Sequence, residues 1–513
     1  MLKDRRTTLK LPTYDVAQKK LIIEQARLVM GDLYVHRDMK LNSFGKQIDP
    51  LPKLDALEKV AEGMSDYDFH DKMIKIFNSQ RDLHTVYELP RPYGCYRNML
   101  PFSVNEIEKG QTSKFVVSAL IDNPEFLALL PNKLNIAIGD ELVSYDGKSL
   151  DQLYKEMAPL NNGANSDATR RFFLEDLSYK IQTISLMPEN NEVALEFKKQ
   201  NGTRIKTIVP WVNRGRLSCL KNYPEKILGR SKFQDEFNKL YQREGEENTT
   251  EEPIVTWRML ENNYGKFAIL KLTNFIPEKL YYPKTILLIE KLMRNEFAGT
   301  TGLIIDMRNN PGGWIPFGEM MLQLFGPAEN NLRMKFSFNV NPSNLFLISN
   351  FFINSNMSES YYQALERQEK LSVPLVLTPE GQMNMAKPAY FKPVAIFTNA
   401  NCYSTCDMFS AQMQDHGYAL IVGEDTTTGA GGANYQTHRT IYDKLKAENV
   451  GPFKELPHNQ EMSFSWRQAY RINGDLIENV GVKSDVVIPT TLNDIMFKSR
   501  DQFLEISKIL STR

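Results

Sequence analysis

The sequence is poor in the features that would place it quickly. It has no charge excess, since 62 Lys and Arg balance 62 Asp and Glu. No basic field therefore exists to hold nucleic acid or an anionic membrane surface. No apolar run is long enough to cross a bilayer. Behind the opening Met1-Leu2-Lys3-Asp4-Arg5-Arg6 lies no apolar stretch of the secretion-signal kind. That leaves a cytoplasmic chain or one from which such a signal has been removed. Cysteines number four. Cys402 and Cys406 stand one helical turn apart, and a C-x3-C without further ligands is weak evidence for a metal, so both read as small buried residues. The turn Asn309-Asn310-Pro311-Gly312-Gly313 lacks the Gly-Lys-Ser/Thr ending of a phosphate loop. Neither a cofactor nor a metal is expected.

What remains is a globular composition, 42% apolar and 24% charged over 513 residues, with room for two or three domains. Apolar residues at helical spacing predict helices over about 14–85, ending at a corner, Arg81-Asp82-Leu83-His84-Thr85, that turns into an extended segment. Short strands and one or two helices are expected over 110–212, with tight turns at Asp146-Gly147 and Asn201-Gly202. Residues 243–252 are acidic and polar and read as a solvated loop. From Phe267 the pattern becomes strand–helix–strand: a strand at 267–272, a helix at 282–295, a buried strand Gly302–Arg308, the Gly312-Gly313 turn and a helix over about 317–325. Residues 327–390 read as an insertion of unclear structure. A hairpin is expected at Asn473-Gly474 and a terminal helix over 492–510.

The chain is organised around Pro393 to Gly432. Pro393–Asn399 reads as a buried strand, and Met408, Phe409 and Met413 give a helix period. Ser404 thus falls at a strand-to-helix turn. A hydroxyl there is most often an N-cap. It can instead be a nucleophile whose oxyanion meets the free N–H groups of the helix start.

Three segments together carry a resemblance. Gly302-Leu-Ile-Ile-Asp-Met-Arg-Asn-Asn-Pro-Gly-Gly313, Ser404-Thr-Cys-Asp-Met-Phe-Ser-Ala with Asp415–Glu424, and Ile477-Glu478-Asn-Val-Gly481-Val-Lys-Ser-Asp485 are similar to the corresponding motifs of the carboxy-terminal (tail-specific) processing peptidases. Ile138-Gly139-Asp140-Glu-Leu-Val with Asp146-Gly147 resembles the core of a PDZ domain. Serine–lysine members of the family carry their lysine in the loop after the nucleophile, but Asp407 through Asp443 contains none. Asp82-Leu83-His84-Thr85 instead resembles the histidine corner of the Ser–His–Glu branch, that of chlamydial protease-like activity factor and the tricorn core, and Glu478 stands at its acidic partner position.

The resemblance implies an α/β fold: a ClpP/crotonase-like spiral core over 214–513, a helical N-terminal part over 1–109 carrying the histidine corner, and a PDZ-like domain over 110–213. It implies a serine endopeptidase with Ser404 as nucleophile, His84 as base and Glu478 as its acidic partner. The N–H groups of Gly312 or Gly313 and of Thr405 would form the oxyanion hole. The substrate would be a peptide or protein, the location secreted or periplasmic, and a homodimer is left open. Two other readings stand beside it: a non-catalytic ligand-binding protein on the same scaffold, and a cysteine hydrolase using Cys402 or Cys406.

Overall fold

The computed structural model describes residues 1–108, 113–121, 124–130, 134–220, 247–327, 332–350, 355–378, 386–446 and 451–513. The apolar runs of the C-terminal half become a seven-stranded sheet, ordered Asn248–Thr249, Val255–Asn262, Gly265–Leu272, Gly302–Asp306, Val394–Thr398, Leu420–Gly423 and Val486–Val487. The first three strands are antiparallel; from Gly265–Leu272 onward every neighbour is parallel. Parallel neighbours need crossovers, and the helices Tyr282–Arg294 and Thr405–Asp415 supply two of them.

Side chains alternate across this sheet. Ala268, Leu270, Leu303, Ile305, Ile396 and Ile421 pack in one cluster with those two helices. Phe267, Ile269, Ile304, Ala395, Phe397 and Val422 pack on the other face against Phe503, Ile506 and Leu510. A sheet covered on both faces gives unbroken apolar strands, which is why these strands are readable from composition alone.

The other half is built around a five-stranded antiparallel sheet, Phe102–Ile107, Lys114–Leu120, Glu141–Tyr145, Glu192–Lys198 and Arg204–Pro210. It carries the helices Leu150–Met157 and Ser166–Asp176. The Asn201-Gly202 hairpin forms as expected, with Lys198 opposite Arg204. The helices Val16–Leu28, Arg37–Phe44, Pro50–Val60 and Asp66–Asn78 precede it. They share one apolar core with the sheet, through Ile22, Met73, Phe77, Phe102 and Phe197.

One strand ties the halves together. Glu461–Tyr470 pairs with Val86–Glu88, with Ala433–Thr437 and with Lys335–Ser337. The third partner belongs to the insertion, which also contributes the helices Pro342–Asn350 and Ser355–Glu366.

Two expectations change, and a third holds in shortened form. The terminal helix is two helices, Leu492–Met496 and Arg500–Ser511. Lys498 and Ser499 break it in left-handed backbone, and Asp494 Oδ1 accepts the Asp501 and Gln502 N–H groups at 3.0 Å each, capping the second helix. The hairpin at Asn473-Gly474 forms but is short: Arg471 N donates to Asp475 O at 2.8 Å and Gly474 N to Arg471 O at 2.9 Å, with one bridge, Tyr470 to Leu476, beyond the turn. The acidic loop, of which 243–246 lie outside the described residues, is not wholly solvated. Glu252 is buried, and its carboxylate accepts the N–H groups of Glu278, Lys279 and Leu280 at 2.9, 3.0 and 2.7 Å.

Candidate active site

Ser404 stands between the strand Val394–Thr398 and the helix Thr405–Asp415. Its backbone is at φ 60°, ψ −127°, and its hydroxyl makes no capping bond. A non-glycine residue in that region is strained and needs its surroundings to hold it. The N-cap role is therefore not the one it fills.

The surroundings are specific. A Cβ on Gly312 would lie 2.6 Å from Ser404 Cβ and 2.7 Å from Thr405 N. Thr405 Oγ1 donates to Gly313 O at 2.7 Å, and Tyr403 N donates to Asn310 O at 3.3 Å. Cys402 and Cys406 are joined as a disulfide that spans the turn, with Cα atoms 5.3 Å apart. Cys95 and Cys219 form a second disulfide, and no cysteine is free. A thiolate nucleophile at Cys402 or Cys406 is thereby excluded, and the pair is more than two small buried residues.

His84 arrives from the corner after the helix Asp66–Asn78. Asp82 Oδ1 accepts the His84 N–H at 2.9 Å and the Ser465 hydroxyl at 3.0 Å, while Oδ2 lies 2.8 Å from His36 Nδ1. Ser463 Oγ donates to His84 O at 2.8 Å. The imidazole stacks on Tyr435, with centroids 5.6 Å apart and planes 14° from parallel. Its Nδ1 is buried and unpartnered. Burial pulls this imidazole down to about 4, against the opposing charge of Asp82, so it is a neutral proton acceptor at neutral pH.

The glycine-rich loop joins these parts. A Cβ on Gly431 would lie 3.1 Å from Ser404 N and 3.4 Å from His84 Cε1; one on Gly432 would lie 2.8 Å from Glu478 N. Serine, histidine and glutamate segments thus meet around two adjacent glycines. Asp407 pins the loop, accepting the Ala430 and Gly431 N–H groups at 3.2 and 2.8 Å and the Thr428 hydroxyl. Burial pushes its carboxyl up to about 7.

Glu478 is 1% exposed. Its Oε1 accepts a hydrogen bond from Lys40 Nζ at 2.5 Å, and its Oε2 is buried without a hydrogen-bond partner. Burial raises its carboxyl, and Lys40 opposes the rise. Ligand atoms of His36, Asp82 and Glu478 lie within 4.8 Å of one another, a spacing a cation could bridge. The Lys40 ammonium already supplies positive charge to this carboxylate.

The candidate oxyanion donors narrow. Gly312 N donates to Asn310 Oδ1 at 2.8 Å, so its N–H is occupied. Among the described residues, the Gly313 and Thr405 N–H groups have no acceptor. Beside Ser404 lies a cavity of about 410 Å³ lined by Trp314, Ile315, Leu377, Tyr435 and Arg467. Leu83 and Tyr403 line a larger groove of about 740 Å³ that runs to Tyr145 and Trp211.

Lys40, His36 and the disulfide escaped the sequence reading. A lysine in a short polar helix carries no sign of burial. The Asn310-x-Gly312 spacing, by contrast, is an Asx turn and could have flagged the occupied amide.

Residues 266–488 match the model of peptidase family S41. An uncharacterized protein of Chlamydia muridarum (strain MoPn / Nigg) is 32% identical over 116 residues, 23% of this chain and 17% of that protein. A protein of Chlamydia trachomatis serovar D is 31% identical over 121 residues, 24% of this chain and 18% of that one. The matched stretch therefore spans under a fifth of either relative. Among solved structures, mature CPAF superposes with TM-score 0.69 at 16% identity, covering 96% of this chain and 97% of that one. Its complex with lactacystin gives 0.66 at 16%, covering 96% and 98%. At such identity the likeness establishes the fold. Residues 266–488, which hold the strained serine, the glycine turns and Glu478, are thus similar to peptidase family S41.

Proposed function

We propose that the protein is a serine endopeptidase working through Ser404, His84 and Glu478. The observation that carries this reading is Ser404 itself: a strained residue at a helix start, its hydroxyl uncapped, with His84 across one glycine. Strain of this kind is retained where the surroundings over-determine it, commonly at sites of chemistry.

In this reading His84 takes the Ser404 proton as Oγ attacks the scissile carbonyl carbon. The N–H groups of Gly313 and Thr405 receive the oxyanion. Collapse breaks the C–N bond, and His84 returns the proton to the leaving amine. Water then hydrolyses the acyl-serine by the same route in reverse. Glu478 supports the imidazolium formed in each half-reaction. The apolar cavity at Trp314 and Tyr435 receives a substrate side chain, and the groove past Tyr403 leads the peptide toward the five-stranded sheet. We assign that sheet the PDZ-like part in peptide binding or gating, and the seven-stranded sheet the ClpP/crotonase-like core. Two disulfides favour an oxidising compartment, secreted or periplasmic.

A fluorophosphonate probe tests the reading. Labelling at Ser404, abolished in Ser404→Ala and slowed in His84→Ala, is expected, with turnover of dye-labelled casein falling on the order of a million-fold in either variant. A protein that neither labels nor cleaves would instead be a binding protein on the same scaffold.

A further inference from the structure

We propose that Lys40 is a positioning residue for this reaction, fixing Glu478 and the histidine corner with one buried ammonium. The inference rests on the Ser404–His84–Glu478 reading above. Lys40 lies in the helix Arg37–Phe44 and is 0% exposed. Its Nζ donates to Glu478 Oε1 at 2.5 Å, Asn479 Oδ1 at 2.5 Å and Arg81 O at 2.6 Å. An ammonium has three protons to donate, and all three are used.

A buried lysine is costly unless paired and hydrogen-bonded. This one joins two segments that must meet. Arg81 lies three residues before His84, and Glu478 with Asn479 forms the opposite wall. Lys40 takes Oε1 and leaves Oε2 unpartnered, as His84 Nδ1 is unpartnered. The carboxylate thus keeps one oxygen in reserve for an imidazolium.

The charges around Glu478 show what Lys40 offsets. Asp82, from the corner, acts on Glu478 as a like charge, and Glu478 in turn raises the Asp407 carboxyl and the Tyr34 hydroxyl. His36 Nδ1 lies 3.9 Å from Oε2 but is engaged with Asp82 at 2.8 Å. Burial and Asp82 favour protonated Glu478; Lys40 is the principal group holding it ionised. A protonated Glu478 would not support the imidazolium. Removing Lys40 should therefore move the acid limb of activity to higher pH, because Glu478 then gains its proton at higher pH.

The test uses the full chain, with the rate of Ser404 modification by a fluorophosphonate and casein turnover read against pH. Lys40→Met is expected to lower both rates ten- to a hundred-fold, the usual scale for an orienting partner, mainly in kcat. Its acid limb should rise by about one pH unit. Lys40→Arg, which keeps the charge, should recover most of the rate and the wild-type limb. Lys40→Gln, which keeps a donor without the charge and guards against a folding failure of Lys40→Met, should show the raised limb. In a Glu478→Gln background, Lys40→Gln should change the rate less than about twofold, because residues acting as a unit are non-additive. An unmoved limb in Lys40→Gln, or an equal loss in the Glu478→Gln background, overturns the inference while leaving the reaction intact. Absence of Ser404 labelling in the wild type overturns the reaction itself.

Discussion

Gly312 and Ser404 are in contact: a single added Cβ on the glycine would lie 2.6 Å from Ser404 Cβ, inside any tolerable separation. Gly312 also has φ 87°, a conformation that L side chains rarely adopt. Its role is to let the turn approach the serine, since its N–H is already given to Asn310.

Gly312→Ala should therefore lower kcat by at least about a hundred-fold, the cost of a displacement near 1 Å. The Tyr403 carbonyl and Thr405 N–H that the new methyl would meet are backbone, which cannot swing aside. Far-UV circular dichroism and fluorophosphonate labelling of the same sample check this. A fully active Gly312→Ala enzyme would show that Ser404 is placed by something else.

The disulfide around the serine makes a second prediction. Cys402→Ala/Cys406→Ala should weaken activity by on the order of a hundred-fold through loss of turn geometry. Cys95→Ala/Cys219→Ala, remote in sequence from Ser404, should act mainly on stability, by about 2–5 kcal/mol. Thermal melts and casein turnover on both double variants separate the two effects.

Activity should persist well below the ordinary histidine midpoint. Burial holds His84 at about 4, so it stays neutral, and able to accept a proton, as pH falls through 6. The acid limb of kcat/KM in the wild type should thus have an apparent midpoint below about 6.5. A midpoint near 7 that persists in Glu478→Gln, and so does not belong to that carboxyl, would mean that His84 is not packed between Tyr435 and the corner as described.

Glu319 offers a stability test away from the chemistry. It is 1% exposed, and both its carboxylate oxygens are buried without a hydrogen-bond partner. Burial raises it to about 7, against Thr378 and Arg333. Its folded value lies above its unfolded one, so its contribution is favourable below about 4.5 and is lost as pH rises through 7. Glu319→Gln should stabilise the fold by on the order of 2 kcal/mol at pH 8 and by little at pH 4.5. Melting curves at the two pH values decide it.

The sequence made some of this legible for identifiable reasons. Val394–Thr398 and Gly302–Asp306 are buried on both faces, so their composition alone marks them as strands. Ser404 could be placed at a helix start because Met408, Phe409 and Met413 keep the helical period. Lys40 could not be read, since its burial depends on Arg81, Glu478 and Asn479, the last two more than 400 residues away. Ser499 and Lys498 hid the break in the last helix, because neither is a residue that ordinarily stops one. The cysteine pair was visible, but its bond depends on a strained turn that spacing does not reveal.

The long strand Glu461–Tyr470 has a bearing on when the site can assemble. Ser463 and Ser465 lie on it, and they hold the His84 carbonyl and the Asp82 carboxylate. A growing chain that has not yet supplied this strand has its hydroxyl and imidazole but lacks two of the bonds that hold the corner in place. The pocket around Ser404 can therefore assemble fully only once residues 461–470 have been made, well after the serine itself.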